Sequence, residues 1–121
     1  MKQFVHATIQ VKDLEKSLAF YQDIVGLPIA RQFVSGGDTE IVFLGEGETL
    51  VELIYIEGGE DTSIGNGIAL GFGVNSLDET MDFVKDKGIE IHSGPFEPNP
   101  TTRFFYVLDP DGLKIQFIEQ K

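Results

Sequence analysis

From Phe4 the chain alternates: Val5, Ala7, Ile9 and Val11 are apolar, while His6, Thr8 and Gln10 between them are polar. A period of two marks a strand with one covered face. At Asp13 the period lengthens, with Leu14, Leu18, Tyr21 and Val25 on one stripe, Phe20 and Ile24 widening it, and Glu15, Lys16, Gln22 and Asp23 opposite. This predicts an amphipathic helix capped by Asp13 and stopped at Gly26. The same text returns in the second half. Val11, Leu14, Phe20 and Asp23 fall on Val74, Leu77, Phe83 and Asp86 at an offset of 63. Ile68, Leu70, Phe72 and Val74 form the covered face of the second strand. Ser76 and Glu79 make a capping box before Leu77, Met81 and Val84, and Gly88 closes the helix.

Three strand-like runs follow each helix: Leu27 to Val34, Glu40 to Leu44 and Thr49 to Ile56, then Ile89 to Ser93, Arg103 to Leu108 and Leu113 to Glu119. The chain is therefore expected to be an α+β protein of two βαβββ modules, the first over 1–57 and the second over 68–121, within a single 121-residue domain. The polar, Gly-rich stretch 58–67 is the expected linker. One helix cannot cover both faces of a four-stranded sheet, so the modules must pair within a chain or between two chains. The sheet edges they leave predict a homodimer.

Nine basic against twenty acidic residues give a formal charge of −11. That balance disfavours nucleic acid and anionic membrane surfaces and suits a cationic or metal-bearing ligand. With no cysteine there is no disulfide, thiolate site or thiol nucleophile. No leader or long apolar run is visible, which leads to the expectation of a cytoplasmic protein with no membrane span. Phosphate-loop and nucleophile-elbow motifs are missing, and only His6 and His92 offer imidazole.

The segments HATIQVKDLEKSLAFYQDIVGL, LVEL and DPDGLKIQF, in this order and spacing, resemble the vicinal oxygen chelate superfamily, which includes glyoxalase I, extradiol dioxygenases, fosfomycin resistance enzymes and bleomycin resistance proteins. The resemblance implies a glyoxalase/bleomycin resistance fold: paired modules whose eight strands form a cupped mixed sheet, with helices outside and a metal or small molecule inside. Strand parity would then put His6, Thr8 and Gln10 on the concave side. In the second copy, Ala69, Gly71 and Gly73 would hollow that side into a substrate-binding wall.

Metal-binding members of this superfamily take one ligand from the first and one from the last strand of each module. Carried over, those positions are His6, Glu52, Ala69 and Gln116. His6 and Glu52 suit a divalent ion such as Zn, Ni, Mn, Co or Fe, and Gln116 offers a neutral carbonyl oxygen. Ala69 offers nothing, which weakens the site. Glu52, set among Leu50, Val51, Leu53 and Ile54, is the catalytic candidate, because a carboxylate in an apolar strand is costly unless paired or coordinating. Gln116 cannot act as a base. Arg103 is expected at the mouth of the cup, with two roles open: clamping a substrate carboxylate or phosphate, or a plain surface role. Phe43, Phe104, Phe105 and Tyr106 compete for the pocket wall, and His92 is read as a surface residue.

Two functions compete. One is a small-molecule binding protein with a degenerate metal site, like the bleomycin resistance branch. The other is a divalent-metal-dependent lyase or isomerase of the lactoylglutathione lyase type, with Glu52 moving the proton. A homodimeric domain without ligand chemistry ranks below both.

Overall fold

The computed structural model describes residues 2–121. These divide into two compact units, 2–63 and 64–121. Unit one runs β1 (His6–Gln10), α1 (Leu14–Ala19), a π-helical segment (Phe20–Val25), β2 (Ile29–Ser35), β3 (Thr39–Leu44) and β4 (Leu50–Ile56). Unit two runs β5 (Ala69–Gly73), α2 (Leu77–Asp86), β6 (Ser93–Asn99), β7 (Thr102–Leu108) and β8 (Lys114–Gln120). Each is βαβββ, and each carries a four-stranded mixed sheet, ordered β1-β4-β3-β2 and β5-β8-β7-β6. The first and last strands pair in parallel; the remaining pairs are antiparallel.

The two helices start as their sequences require. Asp13 accepts a hydrogen bond from the Lys16 amide at 3.1 Å, and Ser76 accepts one from Glu79 at 3.2 Å, satisfying amides that have no partner within the helix. Beyond Ala19 the expected single α-helix widens into the π-helical segment. The smaller angular step per residue lets the consecutive Phe20 and Tyr21 share the buried face, edge to face at 5.2 Å. Gly26, at φ 88°, then turns the chain out in a left-handed conformation that a side chain would resist.

Alternation decides which face each strand buries. In unit one Ile9, Val11, Val42, Leu44, Val51 and Leu53 are buried with Leu14, Phe20 and Tyr21. In unit two Phe105, Val107, Ile115 and Phe117 are buried with Leu77 and Val84. Val5 and Ile68, expected on the covered faces, are exposed because both precede their strands.

The largest displacement is β6. Its expected span, Ile89 to Ser93, instead finishes the helix exit, with the Ile89 amide bonding the Val84 carbonyl at 2.8 Å. The strand begins where that expectation ends and runs through SGPFEPN. Pro95 and Pro98 are tolerated there because β6 is an edge strand, and its register slips on both sides of Phe96.

One charged group is buried to hold α2. Glu119 on β8 accepts a hydrogen bond from the Leu77 amide at 2.7 Å, at the helix N-terminus, where a carboxylate is favoured. Glu119→Ala leaves that amide unsatisfied and should lower unfolding free energy by about 1–3 kcal/mol in urea denaturation.

Candidate functional site

Because β1 and β4 run parallel, strands 44 residues apart in sequence present their side chains side by side. Thr8 is the register partner of Glu52, and Phe43 on β3 is the partner of Glu52 on its other side. Arg31 on β2 pairs with Phe43. One row across the sheet therefore reads Thr8, Glu52, Phe43, Arg31, on the face away from the helix, with His6 at its corner.

The contacts along this row are direct. The His6 Nε2 atom lies 3.4 Å from Glu52 Oε1, and the Thr8 hydroxyl donates to that same oxygen. The His6 ring meets Phe43 edge to face at 5.4 Å, and the Arg31 guanidinium stacks over Phe43 at 4.3 Å from its centre. Glu52 is 8% exposed, and its apolar neighbours Leu53 and Val51 are buried on the other face.

Among the described residues, no group of three or more His, Cys, Asp or Glu side chains gathers around one point. The pair nonetheless fits part of a divalent site. Two ligand atoms about 2.1 Å from one ion and near the tetrahedral angle are themselves about 3.4 Å apart. That is the His6–Glu52 separation.

Unit two places different chemistry on the equivalent row: Gly71 beside Gln116, then Tyr106 and Ser93. The Gln116 amide nitrogen donates to the Tyr106 hydroxyl at 3.3 Å. Its carbonyl oxygen lies 2.9 Å from where a Cβ on Gly71 would sit, so a side chain at 71 would displace the flexible end of Gln116. Ala69 is in register with Lys114, so a cation stands next to the position lacking a ligand. Gly73 continues the exposed strip on β5. Phe96, Phe104 and Tyr106 pack against one another at 5.5 to 6.4 Å and, with Glu97 and Pro98, line a groove of about 540 Å³.

One expected site residue lies elsewhere. Arg103 pairs in register with Glu119, on the helix side of the sheet, and its guanidinium donates to Asp78 at 3.2 Å. That hydrogen bond, reinforced by the Asp78 charge, raises the arginine above its ordinary value. The position of Arg103 at the entry to its strand does not fix its face; the register of β7 on β8 does. Phe105 is buried on the same side, which leaves Phe43, Phe104 and Tyr106 on the face away from the helices. His92 is exposed. Conversely, Thr8 and Arg31 join the site row although neither was singled out. Parity already turned Thr8 toward His6, but its contact with Glu52 depends on a strand register that no local pattern encodes.

Residues 3–117 match the family model described as the Glyoxalase/Bleomycin resistance protein/Dioxygenase superfamily. The chain is 35% identical over 123 residues to a probable lactoylglutathione lyase of Synechocystis, covering 95% of this chain and 93% of that protein. It is 33% identical over 128 residues to a lactoylglutathione lyase of Neisseria meningitidis, covering 98% and 91%. Its backbone is similar to the trypanothione-dependent glyoxalase I of Leishmania major, with a TM-score of 0.81 at 24% identity over 98% of this chain and 87% of that one.

Arg103→Ala should leave ligand uptake and any turnover at wild-type levels while slightly lowering the thermal midpoint. A selective loss of ligand affinity would return Arg103 to the site.

Proposed function

Since the chain belongs to the Glyoxalase/Bleomycin resistance protein/Dioxygenase superfamily, we propose that it binds a small organic molecule at the site faces of its sheets, with a degenerate divalent-metal site. The observation that carries this reading is the asymmetry between the units. His6 and Glu52 form a chelating pair, whereas Ala69 and Gln116 stand at the matching positions with Lys114 alongside. His6 and Glu52 would hold the ion. A bound divalent ion supplies a Lewis acid that polarises a substrate oxygen. A cytoplasmic homodimer is the form we propose, supported by the exposed edge strands β2 and β6.

A second reading is favoured by the relatives named lactoylglutathione lyase: a divalent-metal-dependent lyase or isomerase. Here Glu52 takes a proton from a substrate carbon and delivers it to the neighbouring one. It must do both, because the Gln116 amide has no basic atom at neutral pH. Arg31, stacked on Phe43 and exposed, is the cation on this row able to meet an anionic substrate group.

Metal-free protein titrated with Ni, Zn, Mn and Co tests both readings. Specific uptake should weaken by more than about 100-fold in His6→Ala and Glu52→Ala, exceeding the loss of about 10- to 100-fold that an outer-shell partner causes. Ala69→His should strengthen it. Glu52→Gln then separates the readings: lyase activity on the hemithioacetal of methylglyoxal and glutathione disappears if the protein is an enzyme, while binding of an organic ligand by thermal shift persists if it is a binding protein.

A further inference from the structure

We propose that Thr8 is the positioning residue of Glu52, holding the carboxylate so that its Oε1 stays at ligand distance from His6 Nε2 for a shared ion. The inference rests on the reading of Glu52 as ligand and base. Both contacts made by the carboxylate converge on Oε1: the Thr8 hydroxyl donates to it, and His6 Nε2 faces it at 3.4 Å. Oε2 takes neither contact. The oxygen held beside His6 is therefore Oε1, at the separation that two ligands of one ion require.

Three properties suit Thr8 to this role. As the register partner of Glu52 on a parallel strand, it reaches across one strand spacing of about 4.8 Å. Its branched Cβ restricts the first side-chain torsion, so the direction of the hydroxyl is held. An ionised carboxylate accepts only, so the hydroxyl must donate, in a charge-assisted bond. Packing does not explain the residue, because Thr8 is exposed.

The second unit supplies an internal control. Gly71 occupies the position of Thr8, beside Gln116 at the position of Glu52. An amide carries its own donors, and Gln116 uses one on the Tyr106 hydroxyl. The hydroxyl is thus found where the neighbour is a carboxylate, and a glycine where it is an amide. Ligating carboxylates are commonly held this way by an outer-shell hydrogen bond, and loss of such a partner typically weakens metal binding by about 10- to 100-fold.

The experiment compares the wild-type chain with Thr8→Val and Thr8→Ser by calorimetric titration of Mn and Ni into metal-free protein. Valine keeps the shape and removes the hydroxyl, and serine keeps the hydroxyl and removes the branch. The expected result is a loss of affinity of about 10- to 100-fold in Thr8→Val, recovery toward wild type in Thr8→Ser, and equal thermal midpoints for the three metal-free proteins. A crystal structure of metal-free Thr8→Val should show the Glu52 carboxylate in more than one orientation. Unchanged affinity in Thr8→Val overturns the proposal, as does a Thr8→Ser protein as weak as the valine variant. A wild-type chain that takes up neither ion removes the ligand role of Glu52 itself, and the proposal falls with it; the wild-type titration alone identifies that case.

Discussion

The parallel pairing of the first strand with the last organises each unit. Without it, His6 and Glu52 belong to separate ends of a module; with it, they share a face at hydrogen-bonding range. Antiparallel neighbours can be set by a tight turn, but a parallel pair must wait for an intervening crossover, here a helix and two further strands. The site is therefore a long-range product of the fold. Its geometry depends on the helix being capped, buried and stopped in the right place, so that β4 arrives beside β1 in one register.

That dependence explains what could be read from the residues and what could not. Alternation in β1 and β5, the cap residues Asp13 and Ser76, and the closing Gly26 are local signals, and the corresponding elements form where they point. The duplicated pattern likewise announced two α+β modules. The glyoxalase-type fold followed from the motifs and is matched by the Leishmania major structure. Local signals failed where tertiary context overrode them. Proline and glycine in SGPFEPN argue for a loop, yet an edge strand requires few donors from them. The stripe of Phe20 and Tyr21 reads as α-helical throughout, whereas the structure widens the turn there and buries both side by side.

The site divides along the same line. His6 and Glu52 were legible because their positions in a recognisable motif carried them. The side of the sheet that Arg103 takes was not legible, because it is set by pairing with Glu119, and its partner Asp78 lies on a helix 25 residues earlier. For Thr8, parity gave the face but not the contact with Glu52, and nothing in the immediate neighbours of Arg31 marks it; both roles arise from cross-strand partners. Register is the quantity that local pattern underdetermines, since a shift of one residue exchanges every side chain between faces.

The fit of Gln116 over Gly71 also bears on how the two units answer substitution. A Cβ at position 71 would meet only the far end of the Gln116 side chain, which can swing aside, so the two positions are softly coupled. Glutamate at position 116 would keep a partner, since its carboxylate can accept from the Tyr106 hydroxyl, but it would lack the neighbouring hydroxyl that Glu52 has in Thr8. Threonine at 71 together with glutamate at 116 would write the chemistry of the first unit's row into the second.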